Sequence, residues 1–178
     1  GSVGRAIVER LVPFEVSVTA VASRARAGDD LVDTVHGVDE LASLAPQHDI
    51  IVSVLPGSDA THHILGEELL SSLPDGTLVV NVGRGQLVDQ EALTTEVAAG
   101  RLAAHLDVLA VEPLPAGDPL WSLEGAHVSP HMSGDVVGWR DTLSRQFLDH
   151  LAGWAVTRGH EDLEKALIRL GVPDTDLW

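Results

Sequence analysis

The sequence of 178 residues contains no cysteine and no tyrosine, a single methionine, and only 3% aromatic residues. Without cysteine there are neither disulfides nor thiolate metal sites, which fits a cytoplasmic protein. With so few rings, the core has to be assembled from valine, leucine, isoleucine and alanine, an α/β composition. Basic residues are scarce too. Eleven Lys+Arg stand against 27 Asp+Glu, for a formal net charge of −16. That balance argues against nucleic acid and against an anionic membrane as partners. No apolar run approaches the ~18 residues of a membrane span, so a soluble protein is expected. Hydrophobic residues are nonetheless 44% of the chain, enough at this length for one full core with an appendage.

What is present is organised around Asn81-Val-Gly-Arg-Gly-Gln-Leu-Val-Asp-Gln-Glu-Ala-Leu93. The apolar run before it, residues 77–81, follows the turn Pro74-Asp-Gly76 and predicts a short strand buried on both faces. After it, Asp89 is a plausible N-cap for a helix carrying Ala92, Leu93 and Val97 and stopped by Gly100. An arginine between two glycines, Gly83-Arg84-Gly85, thus sits at the carboxyl end of a parallel strand. Such ends open into the crevice where these sheets bind ligands.

Upstream, Gly1-Ser-Val-Gly4 runs into the apolar-patterned helix Arg5–Val12, the second half of a G-x-G-x-x-G fingerprint. Its glycines let backbone approach a pyrophosphate, and the helix N-terminus favours the charge. The first glycine and the strand that should precede it are absent, so the sequence begins inside a βαβ unit. A valine-rich strand over 15–22 ends in Ser23-Arg24-Ala-Arg26, about twenty residues past Gly4, where an acid would hold the ribose of NAD and arginine would accommodate the 2′-phosphate of NADP. A serine and two arginines at this point favour the phosphate.

Further on, the pattern predicts a strand over 31–35, a helix over 38–45, and a buried strand over 49–55 stopped by Pro56-Gly57. A helix over 65–73, strands over 106–109 and 126–129, and a rigid proline-bearing loop over 114–121 follow. A long helix comes next, with Val137, Leu143, Phe147, Leu148, Leu151 and Trp154 as its apolar face, and a second helix over 161–170. Strands alternating with helices across short loops mean a doubly wound parallel sheet, Rossmann-like, with its first strand absent from the chain. The dinucleotide-binding domain is expected over 1–155, incomplete at its N-terminus, and a helical tail over 156–178. His62-His63 lack nearby ligands, and no metal site is expected.

Arg84, Glu112 and His131 fall at three strand ends, which share one rim in a parallel sheet. An imidazole can give and take a proton near neutral pH. A carboxylate beside it favours the charged ring and fixes its orientation, and an arginine offers a planar fork to a substrate carboxylate. With a nicotinamide, such a set interconverts a 2-hydroxy acid and a 2-oxo acid.

Gly1-Ser-Val-Gly4, Asn81-Val-Gly-Arg-Gly85 with Val88-Asp89 and Ala92-Leu93, Leu106-Asp-Val with Glu112-Pro113, and Ser129-Pro-His-Met-Ser-Gly134 stand in the order of a known family. Over residues 1 to about 155 the chain resembles the dinucleotide-binding domain of the D-isomer-specific 2-hydroxyacid dehydrogenases. The resemblance implies Arg84 as carboxylate anchor, His131 as acid/base and Glu112 as its partner. It implies Gly1, Ser2, Val3 and Gly4 at the pyrophosphate, and Leu55, Pro56 and Thr61 along the adenosine side. Asp107 would stand near the nicotinamide carboxamide, with Val82, Gly83, Arg84, His131, Ser133 and Gly134 also along the cofactor. Ser23, Arg24 and Arg26 resemble the members that prefer NADP; NAD is the second option. The family's N-terminal substrate-binding segments and dimer arm are absent, and residues 157–178 match nothing recognised in it. The leading expectation is an oxidoreductase moving a hydride between NADP, or NAD, and a D-2-hydroxy acid/2-oxo acid pair, with a homodimer possible. The alternatives are a non-catalytic dinucleotide-binding fragment and a nucleotide-sensing interaction module of the same fold.

Overall fold

A computed structural model describes residues 1–157. The chain divides into two compact units, residues 1–133 and the part from Gly134 onward. In the first unit, helix α1 (Ser2–Leu11) precedes β1 (Ala20–Ala22), β2 (Arg26–Ala27) and β3 (Thr34–Gly37). These strands make a three-stranded sheet in the order β1-β3-β2, with β1 parallel and β2 antiparallel to β3. After α2 (Leu41–Leu44), a second sheet orders β4 (Ile50–Ser53), β5 (Leu78–Asn81), β6 (Ala103–Leu106) and β7 (Ala126–Val128), all parallel. Helix α3 (Glu67–Ser72) connects β4 to β5, and α4 (Gln90–Ala98) connects β5 to β6. This alternation makes the unit a Rossmann-like α/β fold.

The register positions everything that follows. Ser53 pairs with Asn81, Asn81 with Leu106, and Leu106 with Val128. Four successive strands therefore end level, and the loops after them leave along one rim.

The core lies between the second sheet and its helices. Val79 of β5, Ala104 of β6, Leu70 of α3, and Leu93 and Val97 of α4 belong to one buried cluster. Asp89 caps α4 by accepting from the Ala92 N–H, and Gly100 (φ +73°) ends it in the left-handed region that glycine adopts without strain. Arg101 ties the layer together. Its guanidinium donates to the carbonyls of Leu70, Ser71 and Leu73 at the end of α3 and pairs with Glu96 and Asp75.

Several elements differ from the sequence pattern. The expected single sheet is two. In the doubly wound order the first strand lies between the second and the fourth, and their counterparts here, β1 and β4, are each the outer strand of a separate sheet. Ile50 and Val52 of β4 are exposed on the face turned away from the buried cluster against which Ile51 packs, although the run 49–55 reads as a buried strand. The strand expected over 15–22 is only Ala20–Ala22, because β3 offers partners to these three residues alone. The strand expected over 31–35 begins at Thr34. Before it, Gly28 donates to the Asp33 carbonyl and Asp29 to that of Val32, closing a hairpin with β2. The helix expected over 38–45 is split by tight turns at both ends of α2. The strand expected over 106–109 is Ala103–Leu106, which leaves Asp107 just past its end. In the second unit, α5 (Trp139–Thr157) starts after Gly138, so Val137 falls outside it and is fully exposed. The helix expected over 161–170 lies outside the described residues. No helix among the described residues is long and apolar enough to cross a membrane.

Leu93 is fully buried where α4 meets the sheet. Leu93→Ala is expected to cost about 2–5 kcal/mol of stability, the range for emptying a buried leucine site, read as a lower urea midpoint with an unchanged slope.

Candidate active site

The site begins with a buried asparagine. Asn81 closes β5 at 1% exposure, and its side chain fastens the next turn. Its Nδ2 donates to the Arg84 carbonyl (2.9 Å), and its Oδ1 accepts from the Gly83 N–H (3.1 Å). The flanking glycines are required by close approach. A Cβ on Gly83 would lie 2.8 Å from the Leu55 carbonyl oxygen, and one on Gly85 only 1.9 Å from that of Leu109. Arg84 is held out between them, with one Nη donating to the Gly83 carbonyl at 2.7 Å and the rest of its fork without a partner among the described residues.

After β6, Asp107 is buried at 5% exposure and accepts three hydrogen bonds from one turn. Its Oδ1 takes the Ser129 hydroxyl and the Met132 N–H (3.0 Å), and its Oδ2 takes the Ser133 N–H (2.9 Å). Burial alone would raise the pKa of this carboxyl. The hydrogen bonds from Ser129, Ser133 and Met132 outweigh that penalty and hold it well below the usual carboxylate range. In the middle of the same turn sits His131 at φ +52°, a conformation uncommon outside glycine.

Glu112 meets this histidine. Its Oε2 lies 2.7 Å from His131 Nδ1, while its Oε1 accepts from the Leu109 N–H at 2.9 Å. The contact with His131 first, then the bond from Leu109, lower the Glu112 pKa, so the group is a carboxylate near neutral pH. Gln90 of α4 holds the loop from the other side, accepting from the Ala110 N–H (3.0 Å) and donating to Asp118 (3.4 Å). Arg84, Glu112 and His131 line one cleft of about 290 Å³, walled by Gly85, Gln86, Val108, Leu109 and Ala110. The set offers a fixed imidazole and an open guanidinium fork. That combination can bind a carboxylate and move a proton beside it.

The remaining residues singled out by the sequence lie elsewhere in the fold. Val82, Asp107 and Ser133 line a second cleft of about 290 Å³ over β5, β6 and β7, with the tilted ring pair His105 and His127. Gly1 caps α1, and Ser2 and Val3 are exposed in its first turn, which carries no acidic residue. Gly4 faces Val54 beyond the end of β4, its absent Cβ 3.5 Å from the valine Cγ2. Ser23 and Arg24 are exposed just after β1, and Arg26 is exposed in β2. Leu55 and Pro56 follow β4, and the Thr61 hydroxyl donates to the Pro56 carbonyl (2.8 Å), closing that loop on itself. Gly134 is the first residue of the second unit. Among the described residues no group of three or more His, Asp or Glu could hold a metal ion. Sequence reasoning assigned no role to Asn81, Gln90 or Ser129. For Asn81 a signal was available: an amide ending an otherwise apolar strand has to be satisfied by the turn it enters.

The family described as "D-isomer specific 2-hydroxyacid dehydrogenase, NAD binding domain" matches residues 1–133. The chain is 31% identical over 154 residues to glyoxylate/hydroxypyruvate reductase B of Pectobacterium atrosepticum, covering 85% of this chain and 48% of that protein. Among solved structures, an NADPH-dependent glyoxylate/hydroxypyruvate reductase from Sinorhizobium meliloti, in complex with NADP and malonate, superposes with a TM-score of 0.74 at 31% identity. That match covers 86% of this chain and 47% of the other. A D-isomer specific 2-hydroxyacid dehydrogenase from Xanthobacter autotrophicus, in complex with NADPH and MES, gives a TM-score of 0.69 at 34% identity, over 74% of this chain and 42% of the other. The chain thus spans less than half the length of these relatives. Matched over its whole first unit, it belongs to the D-isomer specific 2-hydroxyacid dehydrogenase family, through that family's NAD binding domain.

Proposed function

We propose that the chain is the cofactor-binding part of an oxidoreductase that interconverts a D-2-hydroxy acid and a 2-oxo acid, with NADP preferred and NAD admitted. The observation that carries this reading is the cleft in which the His131–Glu112 pair faces the open fork of Arg84. The S. meliloti relative is described with NADP and malonate, a dicarboxylate, which fits a site built around an arginine fork. For this chain the substrate class is a small 2-oxo acid of the glyoxylate or hydroxypyruvate kind. The cofactor domain is read as extending to about residue 155, and the tail expected over 156–178 lies, from residue 158 on, outside the described residues. The lack of cysteine and the net charge of −16 support a cytoplasmic protein that binds neither nucleic acid nor membranes. The outer strands β1 and β4 leave room for a homodimer.

The residues present fit a dinucleotide phosphorylated at the 2′ position. The first turn of α1 holds no acid to repel a pyrophosphate, and Arg24 and Arg26 make no ion pair among the described residues. Bound there, the nicotinamide would supply or accept the hydride. The rest falls to the chain. Arg84 takes the substrate carboxylate in a bidentate grip and so fixes which carbon faces the cofactor. With Glu112 accepting the Nδ1 proton, His131 keeps Nε2 for the substrate oxygen, donating a proton in reduction and removing one in oxidation. Asp107 holds the backbone on which the ring is presented.

The test is NADPH oxidation by the full-length gene product with glyoxylate or hydroxypyruvate. NADPH binding without turnover would instead favour the non-catalytic module. His131→Gln is expected to lower kcat by about 10²–10⁴-fold with NADP affinity unchanged. Near-full activity in that variant would remove the histidine from the mechanism. Arg84→Lys is expected to raise KM for the 2-oxo acid more than it lowers kcat, because a point charge replaces a planar fork.

Asp107→Asn turns one acceptor oxygen into a donor facing a backbone N–H. It is expected to cost about 1–3 kcal/mol, the scale for an unsatisfied buried hydrogen-bonding group, and to lower kcat as the His131 turn loosens. The pH dependence has a definite sign. The folded-state pKa of Asp107 is depressed, so its contribution is complete above the ordinary value of about 3.9 and is lost only as pH falls through the lowered one. Wild type is therefore expected to lose stability on acidification through that window, and Asp107→Asn to lose less, in urea midpoints taken across the acid range.

A further inference from the structure

Arg24 and Arg26 stand in an acidic neighbourhood. Arg26 lies in β2, paired with Val35, and the hairpin that returns to β3 carries Asp29 and Asp30 only three and four residues later. Carboxylates so close on a tight hairpin are natural counter-ions for a free guanidinium, and in a chain of net charge −16 no surplus of cations offsets them. Yet neither Arg24 nor Arg26 is paired among the described residues. Asp29 and Asp30 are both engaged by Arg5, on the first turns of α1. One Nη of Arg5 meets Asp29, the other lies 2.8 Å from Asp30, and its Nε is 3.3 Å from Glu9. Asp29 is fixed further by accepting from the Leu31 N–H at 2.9 Å. The same contacts fasten the β2–β3 hairpin to α1, the helix whose first residues form the glycine turn.

We propose that Arg5 is a specificity-determining residue for the cofactor's 2′-phosphate: by occupying Asp29 and Asp30 it keeps Arg24 and Arg26 free, and it holds the hairpin that carries Arg26 against the helix at the pyrophosphate turn. The proposal rests on the functional reading above and deepens it. Arg5 acts through other residues, so it is a positioning residue and need not touch the nucleotide. Without it, the two carboxylates are free to neutralise Arg24 and Arg26 or to repel an incoming dianion. Either effect weakens binding of a 2′-phosphorylated ligand and leaves the unphosphorylated one nearly untouched.

The test is calorimetric titration of the full chain with adenosine 2′,5′-bisphosphate and with adenosine 5′-monophosphate. Wild type is expected to prefer the bisphosphate. Arg5→Gln is expected to reduce that preference about two- to tenfold, the range for losing one or two exposed ion pairs, and the effect should shrink with added salt as such pairs are screened. Arg5→Lys should retain much of the preference. Adding Asp29→Asn and Asp30→Asn to Arg5→Gln should restore it, an outcome that a loss of folding could not produce. An unchanged preference in Arg5→Gln, or an equal loss of affinity for both ligands, overturns the proposal while leaving the functional reading intact. A wild type with no preference for the bisphosphate overturns the NADP reading and this inference together.

Discussion

The carboxylate of Asp107 is the constraint on which the site depends. It is buried at the end of β6, it is charged, and it accepts from Ser129, Met132 and Ser133, which bracket His131 on both sides. A buried charge is tolerable only when hydrogen-bonded. Here two of the partners are backbone N–H groups and the third is the Ser129 hydroxyl, so satisfying the charge also fixes the chain. The left-handed backbone of His131 is held by its neighbours' contacts and involves no contact of its own ring. Among the described residues, Glu112 is the group that then orients the ring. One residue sets where the histidine is, and another sets which nitrogen it presents.

The level ends of β4, β5, β6 and β7 explain how residues far apart in sequence meet. Parallel pairing with Ser53, Asn81, Leu106 and Val128 in line forces each following loop to start at the same height. The loops are then locked to one another. Gly83 admits the Leu55 carbonyl, Gly85 admits that of Leu109, and Asn81 and Gln90 satisfy the polar groups this crowding isolates. Glycine is needed there for space, because neither residue has a positive φ.

The fold class and the rim to which the strand ends run are legible in the sequence; the bounds of single strands are less so. Arg84, Glu112 and His131 could be placed on one rim because strand ends in a parallel sheet are easily recognised: an apolar run stops and a glycine, proline or charged residue follows. Asp89 as a cap and Gly100 as a stop are equally local, since each acts on its own helix. What was missed lies in strand pairing and in turn hydrogen bonds. The limits of β1 are set by β3, the exposure of Ile50 and Val52 by the sheet face on which they stand, and the hairpin at β2 by hydrogen bonds within residues 28–33. None of these leaves a mark in hydrophobic periodicity. For Asp107 the resemblance implies a place along the cofactor; that its oxygens also accept from Ser129 and from two backbone donors is announced by no side-chain pattern.

The chain's electrostatics show why a strongly acidic protein can still present sites for anions. Of its arginines, Arg5 and Arg101 are held by carboxylates, and Arg140 lies 5.4 Å from the centroid of the Trp139 ring. Among the described residues, Arg84 donates to a carbonyl and pairs with no carboxylate, and Arg24 and Arg26 pair with nothing charged. Cations without a local counter-ion are what an anion recognises at short range, and at physiological ionic strength charges beyond about 8 Å contribute little. Net charge therefore governs solubility and long-range approach, while binding is decided by which few cations the acidic residues leave unpaired. In this chain the pairing of Arg5 and Arg101 accounts for Asp29, Asp30, Asp75 and Glu96, and Arg24, Arg26 and Arg84 are among the arginines that no carboxylate holds among the described residues.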